Sequence, residues 1–176
     1  MEVFKAHLAI GFHGLGKKIE AKGFDVYTLD FPKGVGFQNY NNWSNLLKSY
    51  LMSGVLNINS IIFAHSITPV FICKFLIENQ IKVKRLVFVY GFNNYLGINE
   101  EYYAVNKSMF FDNLRDVKKY CNDIICFYTD NDPYVKFETE KEFTDTIGAK
   151  QILTPNGSHL NSESGFSEFK ELLEYM

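Results

Sequence analysis

Cysteine, proline and tryptophan are all scarce in this chain. Only three cysteines occur in its 176 residues, Cys73, Cys121 and Cys126. Their spacing matches no metal or redox motif, and their odd number argues against a disulfide framework. Cys73 and Cys126 lie in apolar runs and are expected as buried thiols. Neither sign of charge is in excess: 18 basic against 20 acidic residues leave a net charge of −2. That balance removes the electrostatic ground for binding nucleic acid or an anionic membrane. No apolar run approaches the length of a membrane span. The opening Met1-Glu2-Val3-Phe4-Lys5-Ala6-His7 lacks the basic segment and cleavage signal of a secretory peptide. The expected compartment is therefore the reducing cytoplasm. A Gly-rich phosphate loop after a strand is also missing. Gly34-x-Gly36 lacks the remaining spacing of a dinucleotide fingerprint, which counts against a flavodoxin-like nucleotide binder.

What is present is apolar. Hydrophobic residues make up 47% and charged ones 22%, a composition able to bury one core. Short continuous apolar runs alternate with segments at helical spacing. The first strand is either residues 3–6 or residues 7–11. A helix over about 15–22 closes at Gly23, and residues 25–29 form a second strand ended by Asp30-Phe31-Pro32. From about Asn42, the residues Trp43, Leu46, Leu47, Tyr50 and Leu51 share one helical face, and Gly54 stops that helix. Further strands are expected over 61–64, 83–90, 124–128 and 151–153. Helices are expected over about 70–77, 113–120, from 135 or 136 to 147, and 166–175. Strands that read as apolar runs rather than alternations belong to a mostly parallel sheet covered on both faces. No linker or repeat divides the chain. The expectation is a single-domain, three-layer α/β/α sandwich spanning residues 1–176. Residues 91–111 form a Tyr- and Phe-rich connection longer than structure alone requires, either a satellite core or a pocket wall.

One stretch carries chemistry. Ser60-Ile61-Ile62-Phe63-Ala64 runs as a buried strand into His65-Ser66-Ile67-Thr68-Pro69, and then into apolar residues at helical spacing. Proline suits the first helical turn, where its missing N–H goes unneeded. Strand, sharp turn with serine at the tip, then helix is the build of a nucleophile elbow. Ala64 supplies the small residue on one side, whereas Thr68 stands where glycine is usual. The plainer reading is a buried strand followed by a serine N-cap.

Two later strand ends supply partners. The strand ending at Tyr128 runs into Thr129-Asp130-Asn131-Asp132-Pro133-Tyr134-Val135, and the one ending at Leu153 into Thr154-Pro155-Asn156-Gly157-Ser158-His159. In a parallel sheet, functional groups gather at the carboxyl ends of the strands. Serine is a poor nucleophile without a base in reach, imidazole titrates near neutral pH, and a carboxylate orients the imidazole. Serine, acid, histidine is the chain order of α/β-hydrolase triads. Asp132, held extended by Pro133, is favoured over Asp130 as the acid. Those two aspartates could instead form a surface turn or a weak cation site, and His159 could be an exposed loop histidine. His7, His13 and His65 read as structural, with His65 packing under the elbow.

These motifs resemble the small serine hydrolase family that includes retinoblastoma-binding protein 9, compact α/β-hydrolases without a large cap domain. The matching pieces are Ala64-His65-Ser66-Ile67-Thr68-Pro69, Asp130-Asn131-Asp132-Pro133-Tyr134-Val135 and Gly157-Ser158-His159-Leu160-Asn161, followed by Ser164-Gly165-Phe166. Asp30-Phe31-Pro32 is similar too. The resemblance implies a triad of Ser66, Asp132 and His159 in an esterase- or amidase-type hydrolase. The elbow makes the Ile67 N–H the first oxyanion donor. The front end departs from the family. Phe12-His13-Gly14-Leu15 stands where an aromatic helix start belongs, or His13-Gly14 is itself the family's His-Gly. The second oxyanion donor is accordingly near Leu8 or near Leu15. The expected substrate is a small acyl ester or amide, with no cofactor, metal, nucleic acid or membrane partner. The rival expectation is an inert protein of the same fold that acts as a binding module.

Overall fold

The computed structural model describes residues 6–9, 15–98, 100–159 and 170–176. Among the described residues, six parallel strands form one sheet in the order β2-β1-β3-β4-β5-β6. They are β1 (Ala6–Ala9), β2 (Asp25–Thr28), β3 (Ile61–His65), β4 (Arg85–Val89), β5 (Ile124–Thr129) and β6 (Lys150–Thr154). The helices are α1 (Leu15–Glu20), α2 (Tyr40–Met52), α3 (Thr68–Glu78), α4 (Glu100–Asn106) and α5 (Phe137–Thr146).

The apolar runs become strands because both faces of the sheet are covered. Alternate residues of β3 feed two separate cores: Ile62 and Ala64 join Trp43, Phe71, Phe75 and Phe143, while Ile61 and Phe63 join Ile19 and Leu172. The same alternation divides Leu86 and Phe88 from Val87 and Val89 in β4, and Ile124 and Cys126 from Ile125 and Phe127 in β5. Helices α2, α3 and α5 therefore cover one face, and α1 with the C-terminal 3-10 turn Lys170–Tyr175 covers the other. The three-layer expectation holds.

Strand 1 lies near the second of its two expected placements, beginning at Ala6 and pairing Leu8 with both Tyr27 and Ile62. Two expected helices are shorter or tighter than their spacing suggested. Leu114–Lys119 is a 3-10 segment. Of residues 166–175, the final six form a 3-10 turn and 166–169 lie outside the described residues. All three cysteines are buried free thiols.

The long connection after β4 is partly ordered by α4 and a 3-10 turn, Lys107–Met109. The Asn93 side chain closes its two ends by bonding both the N–H and the C=O of Phe111, each at 2.9 Å. Ser108 and Asn106 tie it to the rest: Ser108 Oγ accepts from Tyr40 N–H, Ser108 C=O accepts from Lys74 Nζ, and Asn106 Oδ1 accepts from Gln38 Nε2. Met109 and Phe92 thus join the main core with Phe71 and Phe143 rather than a separate satellite cluster.

Candidate active site

The strand order switches direction between β1 and β3, and the carboxyl ends of strands at such a switch point are the usual ligand position. β3 runs there into Ser66, whose φ of 61° is left-handed, a conformation a non-glycine residue adopts only when its surroundings enforce it. Two constraints do so. The Ser66 N–H donates to Val89 C=O at 3.0 Å, still in the β3–β4 ladder, and α3 must begin at Thr68. The result is a sharp strand–turn–helix with Ile67 at the N-cap and Pro69 in the first turn. The Ile67 N–H belongs to the helix-start donors that have no intrahelical partner, so it is available to an anion at the turn. Thr68, despite its bulk, fits at 5% exposure. Room for the helix start is made instead at Gly91, where an added Cβ would lie 3.1 Å from Pro69 Cβ and 2.5 Å from the Phe143 ring.

The loops after β5 and β6 are stitched together rung by rung. Asp130 Oδ1 accepts from Asn156 N–H at 3.0 Å, Thr129 Oγ1 from Gly157 N–H at 3.1 Å, and Asn131 Oδ1 from Ser158 N–H at 2.8 Å. The fourth rung is His159 Nδ1 to Asp132 Oδ2 at 2.5 Å. Asp130 is thereby engaged by backbone, and Asp132 meets the imidazole. Asn156 and Ser158 take left-handed φ of 57° and 51°, which curls the second loop so that consecutive N–H groups face the first.

The Asp132 side chain is fully enclosed. Its Oδ1 accepts from Tyr134 N–H at 2.7 Å and Val135 N–H at 3.0 Å, the turn that Pro133 makes possible. Burial pushes its pKa up, but the bonds from His159, Val135 and Tyr134 outweigh burial and hold the carboxyl below its usual range. His159 is 8% exposed and walled by Tyr134 (5.0 Å between ring centroids, edge-on) and His65 (4.7 Å). With Nδ1–H donated to Asp132, the neutral ring keeps Nε2 as its acceptor nitrogen.

Two residues do more than their sequence context suggested. His65 does not simply pack under the elbow. Its Nε2 donates to the backbone C=O of His159 at 2.9 Å, tying the histidine loop to the residue beside Ser66. Burial, then the neighbouring His159, pushes the His65 pKa down to about 4, so at neutral pH it is an uncharged donor. Tyr102, from α4, hydrogen-bonds through its hydroxyl to Ser66, and burial pushes its phenol pKa up. Of the other expected site features, Leu8 is excluded as an oxyanion donor, because it lies mid-strand between β2 and β3 and its N–H belongs to the ladder. Residues 10–14, including His13, lie outside the described residues, as do the side chain of His7 and residues 160–169. Among the described residues, no His, Cys, Asp or Glu cluster could hold a metal, and no helix is long and apolar enough to cross a membrane.

Known proteins resemble this chain in sequence family and in fold. A family model described as "Serine hydrolase" matches residues 38–176, well over half of the chain. The fold is similar to that of the ydeN gene product from B. subtilis, with a TM-score of 0.80 at 18% identity, covering 98% of this chain and 96% of that one. It is also similar to a bromoperoxidase from Bacillus anthracis, with a TM-score of 0.69 at 15% identity and coverage of 98% and 91%. A third similar structure is that of a carboxylesterase from the thaumarchaeon Nitrososphaera gargenis, with a TM-score of 0.68 at 11% identity and coverage of 97% and 87%. A sequence comparison with curated proteins finds no match.

Proposed function

Since the chain belongs to the serine hydrolase family, we propose that it cleaves small acyl esters or amides with Ser66 as nucleophile, His159 as general base and Asp132 as the orienting acid. The observation that carries this reading is the enclosed His159–Asp132 pair, tied by its own backbone to His65, the residue before the strained serine. In this mechanism the Ser66 Oγ attacks the acyl carbon while His159 Nε2 takes its proton. Asp132 stabilises the imidazolium, and the Ile67 N–H binds the oxyanion at the start of α3. Collapse of the tetrahedral intermediate transfers the proton to the departing alcohol or amine. Water, activated by the same imidazole, then releases the acid from the acyl-serine.

The Tyr102, Tyr103 and Phe110 side of the 91–111 connection supports an apolar acyl site beside Ser66. The neighbours named as carboxylesterases and as an esterase domain point to ester substrates before amides. The near-neutral charge favours a small-molecule substrate over nucleic acid or membrane, and three reduced buried thiols fit a cytoplasmic setting.

The test is labelling with a fluorophosphonate probe together with turnover of p-nitrophenyl acetate and butyrate. Labelling and turnover should both vanish in Ser66→Ala, a loss of about 10⁴-fold or more. Persistent labelling of that variant would remove Ser66 from the nucleophile's role. A wild-type protein that keeps the His159–Asp132 pair yet neither labels nor turns over ester would instead be the inert binding module.

A further inference from the structure

Helix α5 carries a carboxyl group that the mechanism above does not use. Glu140 is completely buried, although Glu138 and Glu142 on either side reach solvent more freely. One of its oxygens, Oε2, accepts from Thr129 N–H at 2.8 Å, at the last residue of β5. The other, Oε1, is buried and receives no N–H or O–H donor among the described residues. The carboxyl of Asp132, itself an acceptor, acts on the Glu140 side chain from close by. Two ionised carboxylates cannot share a dry site, whereas one proton between them makes a strong hydrogen bond and satisfies Oε1. Asp132 has room for that proton. A carboxylate offers about four acceptor positions. Three of those on Asp132 are taken by Tyr134 N–H, Val135 N–H and His159 Nδ1–H.

We propose that Glu140 is a neutral carboxylic acid at working pH and donates its proton to the Asp132 carboxylate, as a positioning residue that steadies the acid of the His159 pair. This rests on the triad reading only for its effect on turnover. The proton stays on Glu140 rather than on Asp132 because Asp132 receives three other donors and Glu140 only one. Burial accounts for most of the rise in the Glu140 pKa to about 9, with Asp132 adding to it and the Thr129 N–H opposing it. The other titratable groups facing this carboxyl are His159, reached through Asp132, and Tyr90 from the end of β4, whose own pKa it helps to raise. No basic side chain is ion-paired with it among the described residues. A fourth donor spreads the Asp132 charge and weakens its pull on the imidazolium.

The test compares the full-length protein with Glu140→Gln and Glu140→Leu. In ¹³C-glutamate-labelled protein, the carboxyl resonance missing from Glu140→Gln should stay in its protonated position through neutral pH and titrate near pH 9. Glutamine keeps both bonds, its amide donating to Asp132, so the acid limb of kcat/KM should move by less than about 0.3 pH units. Leucine removes the donor, concentrates charge on Asp132 and should raise that limb by about 0.5–1 pH unit while KM stays unchanged. A Glu140 resonance that titrates between pH 4 and 5 overturns the proposal, as does an acid limb that is the same in all three proteins. If Glu140→Leu does not fold, the resonance and Glu140→Gln decide by themselves. Activity that survives Ser66→Ala would defeat the triad reading and leave the Glu140 titration standing.

Discussion

Gly157→Ala isolates one contact on which the placement of His159 depends. A Cβ at Gly157 would lie 2.1 Å from Tyr90 Oη, 3.1 Å from Thr154 Cγ2 and 3.2 Å from Thr129 Oγ1, where ordinary contact begins at 3.4 Å. Gly157 does not use a left-handed φ, so alanine imposes no backbone penalty and the effect is steric. Tyr90 cannot retreat: it is fully buried in the core that holds Phe63 and Phe127. The loop must therefore lift by 3.4 − 2.1 = 1.3 Å at this point. That stretches the bonds from Gly157 N–H to Thr129 Oγ1 (3.1 Å) and Thr154 C=O (3.2 Å), and it displaces His159 two residues on. Overpacking of this kind costs about 1–3 kcal/mol, which is a fall in Tm of roughly 2–12 °C for a chain of this size. A displacement of about 1 Å in a reacting group costs about 10²-fold in rate. Calorimetry and kcat/KM on a p-nitrophenyl ester measure the two effects separately. Tyr90→Phe removes the clashing oxygen, so the double variant Gly157→Ala/Tyr90→Phe should recover most of both losses relative to Tyr90→Phe alone. Wild-type Tm and kcat/KM in Gly157→Ala would refute the steric argument, and so would a double variant no better than the single.

Four further outcomes are expected. Asp132→Asn keeps an acceptor for the Tyr134 and Val135 N–H groups but presents the wrong partner to Nδ1; kcat should fall about 10³–10⁴-fold with little change in far-UV dichroism. His65→Gln weakens the tether to the His159 carbonyl, so kcat should fall by about tenfold, a loss of one hydrogen bond's 1–1.5 kcal/mol. The His65 pKa also predicts a pH dependence. It is depressed in the folded state, from 6.5 to about 4, so its stabilising contribution is present above pH 6.5 and lost as pH falls towards 4. The loss is at most about 3 kcal/mol, and urea titrations of wild type should show a drop that His65→Gln lacks. Finally, Phe71→Ala empties a fully buried site against Phe31 and Trp43 and should cost about 3–5 kcal/mol, read as a lowered urea midpoint at unchanged slope.

Legibility differed by element, for physical reasons. The strands were readable because each is a short apolar run, and burial on both faces removes the alternation that would otherwise complicate it. The elbow was readable because a strand, a serine turn and a proline-started helix are consecutive in the chain. The choice between Asp130 and Asp132 was only half readable: the Pro133 effect is local, but the rung that gives Asp130 to Asn156 joins loops 26 residues apart. Glu140 was missed, although a signal existed. Residues 140, 143, 144 and 147 share one helical face, and Phe143 and Ile147 mark that face as buried. An acidic residue in that phase is the anomaly to look for. His65 and Tyr102 carried no such signal, since neither spacing nor neighbours show that an imidazole will meet a carbonyl from the loop after β6, or that α4 will bring a phenol to a serine.

Taken alone, the sequence determined the class of fold, the strained serine at the end of β3 and the order serine, acid, histidine, because periodicity, turn chemistry and chain order are local properties. Tertiary structure completed the choice of Asp132 that Pro133 had half indicated, and it alone decided that His65 holds His159 by its backbone, that strand 1 begins at Ala6 and removes Leu8 as a donor, and that Glu140 is buried near Asp132. Each of these depends on which parallel strands become neighbours, and the free energy that selects neighbours is spread over two cores rather than written in any one segment.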